Sequence, residues 1–260
     1  MASFDRKELI LGILSAHNRF ATVDQLCEEL FSSPSTIRRE LSLLESALLI
    51  KRVRGGAVLL DSNANDAPYE FRVSQNVVQK QIIAANACKH IKDGMTLFLD
   101  SSSTTYVLAQ NLRNFKSLRI ITNGLKTATY LSEQSNCIVM CAGGIVREPA
   151  KSMVGPEAIE FIIKYCADIA FISCRGFSFE KGAMEASEDE FFVKRQLMRN
   201  SDKSILLFDM SKYNRNSLCR MGMPNEFSSI YTEDKDINDR CAELINNMKL
   251  NQNHLCQGYK

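Results

Sequence analysis

Apolar residues in the first part of the chain recur at intervals of three and four. In 4–17 they are Leu9, Ile10, Ile13 and Leu14, in 22–30 Val23, Leu26, Cys27 and Leu30, and from 34 onward Ile37, Leu41, Leu44 and Leu48. That spacing lines one face of an α-helix, so three short helices are predicted, each with its stripe turned inward. Thr22 is placed to cap the second helix. Ser33 followed by Pro34 opens the third with a capping hydroxyl and a backbone angle preset for the first turn. The turn between the first two helices is assigned to Asn18-Arg19-Phe20-Ala21. Residues 49–53 and 57–60 then change the rhythm: both are short apolar-rich runs, and Arg54-Gly55-Gly56 between them reads as the tip of a β-hairpin. Three helices and a two-stranded wing over 1–60 make a small N-terminal winged helix-turn-helix domain.

Residues 61–68 (Asp-Ser-Asn-Ala-Asn-Asp-Ala-Pro) are small and polar and end in proline, as a linker does, and the linker is assigned to 61–75. From 76 to 260 helical and strand patterns alternate. Strands are predicted at 95–99, 118–121, 138–141, 169–173, 205–208 and 230–232, with helices over 77–91, 104–112, 124–132, 156–165, 188–199 and 236–248. The strands are apolar throughout, so both faces are covered, and their alternation with helices indicates a mainly parallel α/β sheet. Ligands of such sheets sit beyond the carboxyl ends of the strands. Polar residues and glycines collect at those ends here, at 100–105, Asn123-Gly124, Gly143-Gly144 and 209–212.

The outward side of the third helix adds chemistry to this outline. Ser35, Thr36, Arg38 and Arg39 sit on its first turns beside the cap Ser33, and the wing adds Lys51, Arg52 and Arg54. Arginine can grip guanine O6 and N7 with two bonds, and Ser or Thr can reach phosphates or base edges. Five basic residues between 33 and 56 face two acidic ones, Glu40 and Glu45, so the expected partner is double-stranded DNA. The whole chain of 260 residues carries a net charge of only +2, so that basic surface is local. No run approaches the roughly 20 apolar residues of a bilayer span, and the N-terminus lacks a charged-then-apolar leader, so no membrane is expected. The nine cysteines are scattered, none forms a C-x-x-C pair, and there are only three histidines. A reducing cytoplasm, no metal and no cofactor are expected.

Further motifs follow one another along the chain. They are Arg6 before an apolar helix, Ser33-x-x-Thr36-Ile37-Arg38-Arg39, Arg54-Gly55-Gly56-Ala57, Glu70-Phe71-Arg72, Lys80 and the Leu99-Asp100 loop with its Ser/Thr run. Then come Thr122-Asn123, Gly143-Gly144, Gly155-Pro156, Asp168-x-Ala170-Phe171, Glu190-x-x-Val193-Lys194 and Asp209-x-Ser211-Lys212. In this order, over nearly the whole length, the chain resembles the DeoR family of bacterial transcriptional regulators. It departs from the family pattern at Glu40, Ser102, Ser173 and Met184. The resemblance implies a sugar-phosphate sensor domain over 76–260, related in fold to ribose-5-phosphate isomerase and joined to an operator-binding domain. It also implies a homo-oligomer and repression of a carbohydrate-utilisation operon, relieved by a phosphorylated sugar.

On that footing the strand ends offer an effector site. Ser101, Ser102, Ser103, Thr104 and Thr105 lead into a helix N-terminus, where free amides and hydroxyls suit an anion. Asp100 would accept from the polyol end. Lys80, Lys194 and Lys212, the last just beyond Asp209, would neutralise the phosphate, and Asn123, Gly124, Gly143 and Gly144 would line the pocket. Two other readings stay open at this point. One is an isomerase-like enzyme using Asp100 or Asp209 with Lys212; the other is a ligand-blind DNA-binding oligomer.

Overall fold

The computed structural model describes residues 3–17, 19–46, 49–59 and 69–257, and the chain divides into two compact units between Gln75 and Asn76. The first unit holds α1 (Ser3–Ala16), β1 (Phe20–Thr22), α2 (Val23–Glu29), α3 (Pro34–Ser46), β2 (Ile50–Val53), β3 (Gly56–Leu59) and α4 (Tyr69–Ser74). Its core joins Ile10, Leu11 and Leu14 of α1, Leu26 of α2, Ile37, Leu41 and Leu44 of α3, and Phe71 of α4. Leu11 takes the place expected for Leu9, which is exposed, because the buried face of α1 runs through 10, 11 and 14. Leu48 and residues 60–68, including most of the expected linker, lie outside the described residues.

Two parts of this unit differ from the sequence expectation. Phe20 and Ala21, expected in a turn, form a strand with Thr22, which also caps α2 as expected; the strand pairs antiparallel with β3 and makes the wing a three-stranded sheet in the order β1-β3-β2. Three residues are too few to show an alternation, so that pairing is set by the open edge of β3. Residues 69–74, expected as linker, form α4, because Tyr69 and Phe71 are buried and the helix packs on α1.

In the second unit the elements are α5 (Val77–Cys88), β4 (Thr96–Leu99), α6 (Ser103–Gln110), β5 (Arg119–Thr122), α7 (Leu125–Gln134), β6 (Ile138–Cys141), β7 (Ile145–Arg147), β8 (Ser152–Val154) and α8 (Pro156–Ile163). They continue through β9 (Ala167–Ser173), β10 (Gly176–Ser178), β11 (Gly182–Glu185), α9 (Glu188–Arg199), β12 (Ser201–Leu207), β13 (Cys219–Gly222), β14 (Ser229–Tyr231) and α10 (Lys235–Gln257). Six strands, in the order β14-β12-β9-β4-β5-β6, form one sheet whose neighbours are all parallel. Period-two alternation sends Leu97, Leu99, Ile169 and Phe171 into a core with α5, α6 and α7. Phe98, Ala170, Ile172 and Leu206 enter a second core with α8, α9 and α10. Both faces are covered, which is why the central parts of these strands are apolar on both sides. The pattern did not reveal β7, β8, β10, β11 and β13. These are short strands of two smaller antiparallel sheets, paired in the orders β7-β8 and β10-β11-β13.

The strand order runs outward in both directions from the β4–β9 pair. That pair is the topological switch point, where the connections leave toward opposite edges; in parallel sheets ligands bind beyond the carboxyl ends at such a point.

Leu41 is 1% exposed and holds α3 to the first unit's core. Leu41→Ala is expected to cost about 2–5 kcal/mol, read as a lower urea midpoint for the unfolding of that unit, with the second unit's transition unchanged.

Candidate functional site

On the first unit, α3 buries Ile37, Glu40, Leu41 and Leu44, so Ser35, Arg38 and Arg39 face outward. The Ser33 hydroxyl accepts from the Thr36 amide at 3.3 Å and lies 2.9 Å from the hydroxyls of both Ser35 and Thr36. Arg38 and Arg39 are exposed, and an Arg39 guanidinium nitrogen is 3.4 Å from Glu40 Oε1. Lys51, Arg52 and Arg54 are exposed on the wing. Arg52 is also braced against α3: its Nε is 2.9 Å from Glu45 Oε2, its amide donates to Glu45 Oε1 at 2.8 Å, and its Nη1 donates to Ser42 Oγ at 2.6 Å. Helix and wing therefore present their basic residues from one braced platform.

In the second unit the polar residues gather at the switch point. Asp100 follows β4 and is fully buried. Its Oδ1 accepts from the Ser102 amide at 3.0 Å and lies 2.8 Å from the Thr105 hydroxyl, while Oδ2 accepts from the Ser173 amide, at the end of β9, at 2.8 Å. Lys194 of α9 completes the ring, with Nζ 3.4 Å from Asp100 Oδ2 and donating to the Ser173 carbonyl at 3.0 Å. Asp100 was expected to face a polyol; instead its carboxylate is taken up by groups of the protein itself. Ser102 caps α6, its hydroxyl accepting from the Thr105 amide at 3.1 Å.

Neighbouring loops close on this ring. A Cβ at Gly124 would come within 3.0 Å of Ser101 Cα and 3.3 Å of Thr127 Oγ1, so the β4–α6 and β5–α7 loops abut. Asn123 is fully buried, and its Nδ2 donates to the Met153 carbonyl at 3.1 Å. On the other side Asp209, after β12, lies 3.7 Å from Lys212 Nζ, which donates to Ser173 Oγ at 3.1 Å. Asp209 Oδ1 accepts from Asn76 Nδ2 at 2.9 Å. Lys80 is buried on α5, close enough to Asp209 to help stabilise its charge. Gly143 and Gly144 do not join the others. Gly143 is exposed, and Gly144, at φ +124°, is a glycine because a Cβ would meet the Val154 carbonyl at 2.5 Å; the close backbone approach there is to β8.

The sequence reading missed several members of the network. Glu190 of α9 accepts from Ser101 Oγ at 3.1 Å, contacts Ser152 Oγ, and has Arg147 Nη1 3.9 Å away. Glu185 at the end of β11 pairs with Lys194 and lies 3.6 Å from Arg175 Nε. The acid run at 188–190 is visible in the sequence, but β11 and the β7–β8 hairpin were not, and without them these partners could not be brought together. Burial would push the Lys194 ammonium down, yet Glu185, Asp100 and Glu190 together raise it above its ordinary value. Burial would push Glu185 and Asp209 up, but Lys194 and Arg175 hold the first, and Lys212, Ser211, Lys80 and Asn76 the second, below the usual carboxylate range. No group of three or more metal-ligating side chains with suitable geometry occurs among the described residues.

Residues 6–63 match the DeoR-like helix-turn-helix domain, and residues 75–234 match the DeoR C-terminal sensor domain. The chain belongs to the DeoR family. Among its relatives, the HTH-type transcriptional regulator GolR of Listeria innocua serovar 6a is 34% identical over 235 residues, which cover 90% of this chain and 92% of the relative. The glycerol-3-phosphate regulon repressor of Escherichia coli is 31% identical over 214 residues, 82% of this chain and 84% of its own. Among solved structures, a ribose 5-phosphate isomerase A of Methanocaldococcus jannaschii aligns with a TM-score of 0.40 at 17% identity, over 54% of this chain and 55% of that one. This DeoR-family chain is a DNA-binding transcriptional regulator, and none of its described helices is long and apolar enough to cross a membrane. At the four positions where the sequence resemblance is imperfect, Glu40 is buried in α3, Ser102 caps α6, Ser173 accepts from Lys212, and Met184 is buried in β11.

Lys194→Met leaves Glu185 and Asp100 buried beside an apolar group, and is expected to cost about 3–5 kcal/mol, measured by urea titration at neutral pH. The depressed carboxyls of Glu185 and Asp209 contribute stability above their ordinary values of 4.5 and 3.8, and it is lost as pH falls through their lower folded values. The raised Lys194 contributes stability that is full below its ordinary 10.5 and is lost as pH rises through its higher folded value. The urea midpoint should therefore be flat near neutrality and fall on the acid side, with a shallower fall in Glu185→Gln.

Proposed function

We propose that this chain is a repressor that holds duplex DNA through α3 and the wing and releases it when a phosphorylated sugar occupies the strand ends of the second unit. One observation supports the effector half above all. Three fully or almost fully buried polar atoms, Thr104 Oγ1, Thr127 Oγ1 and Asn123 Oδ1, find no hydrogen-bond partner among the described residues. Each such atom left unsatisfied costs about 1–3 kcal/mol. The two hydroxyls lie in the first turns of α6 and α7, where helix amides and dipoles favour an anion, so both can donate to a phosphate. Asn123 Nδ2 is engaged by Met153, which fixes Oδ1 as an acceptor for a sugar hydroxyl. Lys80, Lys194 and Lys212 supply the positive surroundings, and Ser101 and Ser103 add hydroxyls. Asp100, Ser102 and Thr105 hold the loop in shape rather than touching the ligand.

On the DNA side, Arg38 and Arg39 read base edges, while Ser33, Ser35, Thr36, Lys51 and Arg54 hold phosphates. Arg52 shares its charge between the duplex and Glu45. A homodimer would set two copies of α3 about 34–36 Å apart, one turn of a pseudo-palindromic operator. We infer binding without turnover. The carboxylates that isomerase chemistry would need as a base are tied to internal partners, Asp100 to Lys194 and Asp209 to Lys212 and Asn76. The operon would then be one for carbohydrate use, regulated in the cytoplasm.

The test combines a gel-shift titration with a thermal-shift screen over pentose, hexose and triose phosphates. A sugar phosphate that raises the melting temperature should weaken operator binding about 5–150-fold. Thr104→Val should leave the melting temperature of the free protein equal or higher while abolishing the ligand's effect; retention of the full effect would overturn the assignment. Arg38→Ala is expected to lower operator affinity by roughly 1–3 kcal/mol, and equal affinity would rule out base reading by that side chain.

A further inference from the structure

Phe31, in the turn between α2 and α3, combines two features that do not belong together in a residue serving only the fold. Its side chain is 96% exposed, the highest value for a large apolar residue among the described residues. Its backbone is left-handed, with φ +47°. The chain requires that conformation, because α2 ends in a two-bond cap: the Ser32 amide donates to the Cys27 carbonyl at 3.1 Å and the Phe31 amide to the Glu28 carbonyl at 3.4 Å. The residue between the two donors of such a cap is left-handed and normally glycine, since a Cβ is strained there. Phe31 therefore carries backbone strain and gains no burial in return. A strained residue that the fold does not reward points to a role in binding.

Its place in the unit says what the partner is. Phe31 is two residues before Ser33, the cap whose hydroxyl contacts Ser35 and Thr36, and it precedes the exposed Arg38 and Arg39 on the same helix. We propose that Phe31 is a DNA-contacting residue that lays its ring against an apolar surface at the rim of the groove read by α3. That surface is either a thymine methyl or the face of a deoxyribose. Aromatic contact of this kind is an established means of reading thymine. The inference rests on the reading of α3 as the DNA-binding helix and is independent of the effector.

The experiment uses the full chain and a duplex enriched by the wild-type protein from a random-sequence pool. Phe31→Gly and Phe31→Asn both tolerate the left-handed backbone and remove the ring, so the turn is kept and the melting temperature should be unchanged or higher. Their affinity for the selected duplex should fall about 3–10-fold, the loss of a partly buried phenyl group. Phe31→Tyr should stay within about twofold of wild type on the same scale. The dependence of log Kd on log salt should keep its slope, because no phosphate charge is neutralised by a phenyl ring. Replacing thymines by uracils separates the two surfaces. A weakening for wild type that Phe31→Gly does not share identifies a methyl, and equal behaviour alongside the weaker affinity of the variant identifies the sugar. Unchanged affinity of Phe31→Gly and Phe31→Asn on the enriched duplex overturns the inference alone. Failure of the pool to enrich would instead overturn the reading of α3 as a sequence-reading helix, on which the inference rests.

Discussion

The second unit depends on how Asp100 is held. A carboxylate with no exposure to water needs its charge matched almost completely, and here two amides, a hydroxyl and the Lys194 ammonium do so. Those four partners come from the β4–α6 loop, the first turn of α6, the end of β9 and α9. One side chain thus fastens the two central strands at the point where a parallel sheet otherwise parts. Lys194 carries the connection on to Glu185 and so to the antiparallel β10-β11-β13 sheet. The carboxylate and its ammonium are thereby enclosed by the protein.

The first unit solves a similar problem with fewer charges. Its exposed basic surface is small, and short helices with a three-stranded wing have little rigidity of their own. Burial of Ile37, Leu41 and Leu44 fixes α3 from below, and the contacts of Arg52 with Glu45 and Ser42 fix the wing to its side. The serine cluster at 33–36 sets the first turn. Because the platform is fixed, the orientation of Arg38 and Arg39 is a property of the domain and not of each side chain separately.

The two units were not equally legible in the sequence. Helical stripes and the central strands could be read because burial on one face or both leaves a period. The exposed basic residues of α3 and the wing could be named because charge on a solvated face needs no partner to be recognised. The polar and glycine residues at the strand ends could be picked out, but the internal partners of the Asp100 carboxylate could not. Whether a buried carboxylate serves a ligand or the protein depends on Ser173 and Lys194, which lie 73 and 94 positions along the chain. Gly144 was misassigned for a related reason: a close backbone approach was visible, but not that its occupant was Val154. Three-residue strands such as β1 and β7 carry no period, and α4 was hidden in a stretch whose composition resembled a linker.

Asn76 is the first residue of the second unit, and its side chain is bonded to Asp209. Asp209 in turn answers to Lys212 and, through Ser173, to the central strands. The polar network at the strand ends therefore reaches the first residue of the second unit, one peptide bond from Gln75. A change at Lys212 or Asp209 is thus felt at the residue where the second unit begins.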